Sequence, residues 1–342
     1  MSIAIELAER GWLPDFLVRA GIRRLLAARL TEECARAASG AMDAWITELG
    51  DGPVALLPEK ANEQHYEVPP EFFHAMLGPR LKYSSCIHPQ GTESLAEAET
   101  LMLELCVQRA GLVDGQRILE LGCGWGSLSL FMAQRFPAAR ITAVSNSAPQ
   151  RREILQRATA LGLSNLDVIT ADMNNFDTDQ RFDRVVSVEM FEHMYNLPLL
   201  LRRVRGWLAP GGRLFLHVFC HREYSYPFAV RGQQDWMARH FFSGGMMPAE
   251  SLYERFGEHM LVENRWVVSG THYARTSRQW LERLDANREA ALKALADAGD
   301  PSSASLRLQR WRMFVMACEE LFGHDGGREW FVSHQLLRPV EE

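Results

Sequence analysis

Glu189, Glu192 and His193 fall within five positions of one another in the stretch VVSVEMFEHMYN, residues 185–196. Val185, Val186 and Val188 read as a buried strand, so two carboxylates and an imidazole stand where that strand ends. Glu189 and Glu192 are three apart and share a side if the chain turns helical there. Carboxylates hold a cation, and a neighbouring histidine accepts and relays a proton near neutral pH. The matching chemistry is deprotonation of a bound ammonium. An alkylamine with a pKa of about 10 is protonated at neutral pH, and freeing its lone pair costs roughly 4 kcal/mol. The expectation is that the carboxylates capture and orient an amine while His193, with Glu192, removes its proton. The structural alternative puts both glutamates on a solvated turn and the histidine in the core.

A second set lies upstream. ELGCGWG places Gly122, Gly124 and Gly126 at the end of another strand, where glycines allow a tight turn and close approach of backbone N–H groups to a ligand. A dinucleotide site calls for GxGxxG and an acidic residue ending the next strand. Here the spacing is GxGxG with Trp125 between glycines, the next strand ends Ser145-Asn146-Ser147, and no phosphate-binding lysine follows the loop. The reading moves from NAD or ATP to S-adenosylmethionine, which carries no phosphate. Asp172, ending the third strand, is placed to receive an adenine amino group. Met173 or Trp125 can cover an adenine face, and Gln150 opens a helix four residues beyond Asn146. Cys123 reads as a small apolar filler.

These residues need a frame. From 94 to 220 helix and strand alternate: helix 94–111, strand 117–124, helix, strand 140–147, helix, strand 166–173, strand 182–190, helix, then a Pro-Gly-Gly turn into strand 213–219. Close alternation predicts an α/β fold with a parallel sheet and helices on both faces. Ligands then sit outside the carboxyl ends of the strands. Residues 221–342 are aromatic-rich, with a strand-like 265–270, helices near 277–297 and 304–322, and a final apolar stretch at 328–337. His217 reads equally as lining or as hydrogen-bonded core. His272 and Tyr273 are candidates to face the substrate, and Trp330 to close over a flat amine. The other tryptophans of this half are core by default.

The chain has 342 residues, 47% hydrophobic, with 37 Lys plus Arg against 43 Asp plus Glu and a net charge of −6. No basic stripe points to nucleic acid, and a mildly acidic chain fits a cationic small substrate. Cys34, Cys86, Cys106, Cys123, Cys220 and Cys318 show no metal spacing, so reduced thiols in a cytoplasmic protein, and no metal, are expected. Glu6, Glu9 and Arg10 interrupt any signal-like run, and no stretch of 18 uncharged apolar residues exists. The expected organisation is a helical extension (1–60), a connector or lid (61–93) and the main domain with acceptor-binding elements (94–342). Residues 17–30 form an amphipathic helix, read as keeping its arginines in water rather than on a membrane. The Pro-punctuated connector carries His65, Tyr66, Phe72, Phe73 and Tyr83, aromatic groups fit to line a site.

ILELGCGWGSLSLFMAQRF, ITAVSNSAPQ, the HYEVPPEFF…LKYSSC connector and SVEMFEHM resemble the cyclopropane-fatty-acid-synthase-type methyltransferases, nearest the plant coclaurine N-methyltransferase branch. The resemblance runs from about residue 60 onward, with SGGMMP, THYARTSRQW and EWFVSH in step. It implies a class I SAM-methyltransferase Rossmann-like fold, a mostly parallel seven-stranded sheet with helical insertions. It implies a cofactor pocket of Tyr83, Ser84, the Ile118–Gly126 segment, Ser145 to Gln150, Met173 and Asn174. In the lipid-modifying branch a bicarbonate acts as base, held partly by a connector Cys and by the Glu of FEH. This chain has Ser85 at that Cys and Glu189 where that branch has Gly, and a second carboxylate beside bicarbonate is unfavourable. His217 and Tyr273 do match positions that branch uses. The N-methylating branch carries acid/base residues over to Glu189, Glu192 and His193. The leading reading is an amine N-methyltransferase acting on a small molecule, with a homodimer as a candidate assembly and no membrane partner. The alternatives are a bicarbonate-using lipid methyltransferase and a cofactor-binding module without catalysis.

Overall fold

The computed structural model describes residues 3–56, 68–232 and 235–341. His65 and Tyr66 lie outside the described residues. Seven strands form the central sheet: β1 Arg117–Leu121, β2 Arg140–Ser145, β3 Leu166–Thr170, β4 Phe182–Val188, β5 Leu208–His221, β8 Met260–Val268 and β9 Trp330–Pro339. A separate small pair consists of β6 Tyr226–Pro227 and β7 Met246–Met247. The sheet order is β3-β2-β1-β4-β5-β9-β8. The pairs from β3 across to β5 are parallel, and β9 runs antiparallel between β5 and β8. Buried β-branched and leucine residues on β1 and β4, among them Ile118, Val185 and Val186, hold the sheet centre. The seven-stranded, mostly parallel expectation holds.

Boundaries differ in an informative direction. The strands expected over 117–124, 140–147, 166–173 and 182–190 stop earlier, at Leu121, Ser145, Thr170 and Val188. The residues with chemistry therefore sit in the turns just beyond the carboxyl ends, where side chains escape the pleat. β5 starts at Leu208 and includes the Pro-Gly-Gly segment expected as a turn. The helix expected near 277–297 begins at Gly270 and is two helices, Gly270–Ala286 and Arg288–Asp297. Ser269 caps its start by accepting from Thr271 N–H. Gly270 lies so close to the backbone of β9 that a Cβ would come 2.1 Å from Trp330 O.

The helix Asp15–Ala38 packs on the helix Ala304–Gly323. Its arginines do not all face water, which corrects the sequence reading. Arg19 pairs with Glu319 at 2.7 Å and Glu320 at 3.0 Å, and Arg29 reaches Asp235 at 3.1 Å. Half-buried ion pairs thus tie this helix to the C-terminal third of the chain. Among the described residues no helix is long and apolar enough to cross a membrane.

Gly126 has φ +79°, and a Cβ there would meet Ile154 at 2.6 Å. Gly126→Ala combines left-handed strain with that clash, so a loss of about 2 kcal/mol is expected. Thermal or denaturant unfolding checks this, and a variant as stable as the parent contradicts it.

Candidate active site

Glu189 is the first residue past β4 and has φ +49°, a left-handed conformation for a residue with a side chain. Its N–H donates to His217 O at 2.8 Å, so the sheet ladder continues while the side chain swings into the interior. There the carboxylate collects donors from three distant elements. Oε1 accepts from Ser85 N–H at 2.9 Å and faces His217 Nε2 at 3.1 Å, and Oε2 accepts from Tyr273 Oη–H at 2.7 Å. Burial pushes its pKa up, opposed by the Lys82 charge and these hydrogen bonds, and the net direction is upward. Lys82 is itself buried, donating through Nζ to Ser84 Oγ at 2.5 Å and Ser85 O at 2.7 Å.

A single 3₁₀ turn, Phe191–His193, follows. His193 stacks on Phe242 with ring centroids 5.5 Å apart. Burial lowers its pKa to about 4, with Glu189 pulling the other way, so the ring is a neutral acceptor at neutral pH. Glu192 departs from expectation. Its Oε1 accepts from Phe219 N–H on β5 at 2.7 Å, and it lines neither cavity described below. Spacing of three does not put Glu189 and Glu192 on one side, because Glu189 precedes the turn and its positive φ redirects the chain. Burial and the neighbouring Glu189 both push the Glu192 carboxyl well above the usual range.

Two cavities meet here. One, of about 640 Å³, is walled by Glu189, His193, Tyr83, Trp125, Tyr273 and Phe242, with residues of the two N-terminal helices on its far side. The other, of about 70 Å³, is lined by Asn146, Gln150, Asp172, Met173, Ser243 and Gly244 among others. Gly122, Gly124, Gln150 and His193 line both, so His193 stands at the junction. Gly122 has φ +76°, and a Cβ there would strike the Met190 side chain at 2.5 Å, so only glycine closes this loop against the β4 turn. Gln150 is fixed by Ser145 Oγ–H at 2.7 Å, and Asp172 Oδ1 accepts from Asn174 N–H at 2.9 Å.

Several expected ligands sit elsewhere. Asn174 grips the backbone of Ala55 from both amide atoms, each at 3.0 Å, and so holds the segment that covers the small cavity without lining it. Gly126 packs on Ile154. Trp125 lines the large cavity only, tilted on Phe73 with centroids 4.9 Å apart, which leaves Met173 to cover an adenine face. Trp330 is fully buried in β9, donates from Nε1 to Tyr226 Oη at 3.0 Å, and cannot close over an acceptor. His217 is buried behind Glu189 rather than exposed to the cavity. Tyr83, Ser84 and Tyr273 do line it.

Glu120 falls within the Ile118–Gly126 segment that the resemblance implies for the cofactor pocket, without a role of its own in the sequence reading. It is buried in β1, lines the large cavity and accepts from Ser129 Oγ–H. The available signal was a carboxylate in the buried part of the RILEL strand, whose other charge, Arg117, is at the exposed start. Trp125 Nε1 and Ser127 Oγ also line this cavity, buried and without a hydrogen-bond partner. Together these are an acceptor for an ammonium and two donors for a carboxylate, the needs of an amino-acid end. Among the described residues no lysine or arginine lines the small cavity, which suits a nucleoside without phosphates. The residues present fit S-adenosylmethionine.

Residues 57–327 match the family described as mycolic acid cyclopropane synthetase. The chain belongs to that family. It is 35% identical to the (S)-coclaurine N-methyltransferase of Thalictrum flavum subsp. glaucum, an alignment covering 98% of this chain and 96% of that protein. It is 28% identical to the cyclopropane-fatty-acyl-phospholipid synthase of Escherichia coli (strain K12), covering 65% of this chain and 56% of that one. A crystal structure of coclaurine N-methyltransferase bound to N-methylheliamine and SAH superposes with a TM-score of 0.92 at 34% identity, covering 98% of each chain. The fold is that of class I SAM-dependent methyltransferases, and the chain is a SAM-dependent N-methyltransferase.

Burial raises the Glu120 pKa to about 8, so in the free protein this carboxyl is largely protonated at neutral pH. An ammonium held there pulls its pKa down. Binding of S-adenosylhomocysteine at neutral pH should therefore release a proton, and affinity should rise with pH until it levels near 8. Calorimetry in buffers of different ionisation enthalpy reads the proton directly. Equal heats in all buffers, for the parent and Glu120→Gln alike, would contradict the assignment.

Proposed function

We propose that the chain methylates the nitrogen of a bulky, largely apolar amine of the benzylisoquinoline kind, with Glu189 holding the ammonium and His193 receiving its proton. The observation that carries this is the placement of the buried Glu189 carboxylate on the wall of a mostly apolar cavity of about 640 Å³ beside a neutral histidine. Aromatic and aliphatic side chains such as Phe228, Phe242, Met247 and Leu26 line the remainder and suit flat rings. Bound S-adenosylmethionine supplies an activated methyl group on its sulfonium.

The residues of this chain do the rest. Glu189 attracts the cationic amine and sets the direction of its N–H bonds. Burial in the cavity disfavours an ammonium just as it disfavours imidazolium, so the pKa of the bound amine falls toward that of His193. His193 accepts the proton, and the freed lone pair is the nucleophile. Glu192 acts as a positioning residue, fastening the 3₁₀ turn to β5 through Phe219 N–H and so placing His193 at the junction of the cavities.

The lipid reading is disfavoured by the same geometry. Ser85 N–H, His217 and Tyr273, which surround the position where a bicarbonate would stand, are already engaged with the Glu189 carboxylate. A fixed side-chain anion occupies the place of a diffusible one.

His193→Ala should lower kcat on the order of 10²–10⁴-fold, with S-adenosylhomocysteine affinity unchanged. Glu189→Gln should chiefly raise KM for the amine. Raising the pH toward the amine pKa should partly restore His193→Ala. The measurement is methyl transfer to benzylisoquinoline, phenethylamine and indolethylamine acceptors, with phospholipid vesicles for comparison. Full activity of His193→Ala at neutral pH removes the proton-acceptor role. Strong loss of the parent's activity in carbonate-free buffer would restore the lipid reading.

A further inference from the structure

Behind Glu189 lies a row of two buried histidines and a half-buried arginine that lines neither cavity. Arg109 Nη1 stands 2.9 Å from His334 Nδ1, His334 Nε2 stands 2.9 Å from His217 Nδ1, and His217 Nε2 stands 3.1 Å from Glu189 Oε1. The sheet builds this row, because His217 and His334 are directly opposed in the antiparallel pairing of β5 with β9. Arg109 ends the helix Leu95–Ala110 and lies over the Trp266 ring, 5.3 Å from its centroid.

A guanidinium donates hydrogen bonds and cannot accept them. His334 Nδ1 must therefore accept, which puts the proton of neutral His334 on Nε2. That N–H points at His217 Nδ1, which must accept in turn, so the His217 proton is on Nε2 and is donated to Glu189. Both rings are neutral, since burial and the Arg109 and Lys82 charges oppose imidazolium at each. One donor-only end fixes the direction of every bond in the row.

We propose that Arg109, through His334 and His217, sets this direction and thereby holds Glu189 as an ionised acceptor in the amine-binding cavity. These three are positioning residues. With the opposite tautomer, the bare His217 Nε2 would face Glu189 Oε1, and the carboxyl would need its own proton to bond it. A neutral Glu189 has no charge to offer an ammonium. The ligating atoms of Cys106, His217 and His334 lie within 4.8 Å of one another, a spacing a metal ion could also use. The Arg109 cation on His334 Nδ1 repels a second cation there, and the row engages both nitrogens of each ring without one.

Other groups bear on the charge of Glu189. Lys82 and Cys86 face it from the connector, Glu192 and His193 from the 3₁₀ turn, Tyr273 and Cys318 from the helices behind the cavity. Lys82 also acts on His217 and His334, and Cys106 Sγ stands 3.8 Å from His217 Nδ1, so the changes tested are those at Arg109 and His334, which leave both groups in place.

The inference rests on the amine-holding role of Glu189, and its first test does not. Long-range ¹H–¹⁵N NMR of the full-length protein should show His217 and His334 both as neutral Nε2–H tautomers, with no amine and no turnover required. Arg109→Lys, still donor-only, should keep that pattern, and Arg109→Met should lose it. His334→Leu should move the acid limb of the kcat/KM profile up by about one pH unit, the loss of one charge-assisted hydrogen bond. It should also weaken a quaternary ammonium analogue of the acceptor up to about tenfold on the acid limb, and leave S-adenosylhomocysteine affinity unchanged. His334→Gln, whose amide N–H can reach His217, should restore both. An Nδ1–H tautomer for His217 in the parent protein overturns the proposal even if no variant folds. So does an unmoved acid limb in a folded His334→Leu.

Discussion

A buried carboxylate survives as an anion only where donors replace its water, and Glu189 has three of them: Ser85 N–H, His217 and Tyr273. They come from the connector, the middle of the sheet and the helix after β8. Each of these elements can take its place only if the others do, so the charge and the fold specify one another. Removing any donor would leave lone pairs unpaired in an apolar wall, which is more costly than the bond itself is stabilising. The left-handed backbone at Glu189 is the local cost of bringing the side chain to that meeting point. Lys82 supplies the compensating cation at one remove, through Ser84 and Ser85, and never lines the small cavity.

The sequence made the sheet and the glycine loop legible because both have local signatures. Apolar runs of β-branched residues ended in turn residues at regular intervals, and GxGxG without an acidic partner pointed away from phosphates. Glu189 and His193, which both line the large cavity, drew notice because three ionisable groups at a strand end have no cheap structural explanation. Glu192 was misplaced because spacing arguments assume a regular helix, and one positive φ defeats them. Trp330 was misread for a related reason, since nothing in EWFVSH says which face of a strand meets a cavity and which meets Tyr226. His334 was invisible. It becomes functional only through cross-strand register, and register between β5 and β9 spans 117 residues of chain. Glu120 did leave a trace, the only acidic residue in a five-residue strand whose other charge, Arg117, is at its exposed start.

The N-terminal helices show how an element with little sequence signal gains a role from packing. Ala4, Ile5, Leu13, Leu17, Ile22 and Leu26 are among the residues that wall the large cavity. Ion pairs of Arg19 and Arg29 to Glu319, Glu320 and Asp235 dock the long helix, and they are half-buried rather than free in solvent. Apolar wall and polar clasp belong to one helix, so the amphipathic pattern that resembled a surface helix reports burial on one side and docking on the other.

Desolvation is the common element behind these features. The same burial that lowers His193 to about 4 raises Glu120 to about 8, and each shift suits the ligand expected beside it. A histidine with an ordinary pKa would be partly protonated at neutral pH and would repel the cationic amine it must receive. Lowering its pKa removes that repulsion but also weakens it as a base. The balance is recovered only if the amine is dried by the same walls, because an ammonium in an apolar cavity loses stability along with the imidazolium. In the proposed mechanism dry walls, the fixed Glu189 anion and a neutral acceptor are therefore one device. Opening the cavity to water would return the amine to a pKa of about 10 while leaving the histidine a poor base, and transfer would stall. In the proposed mechanism the cavity wall supplied by the N-terminal helices thus takes part in the acid–base chemistry, although none of their side chains carries the proton.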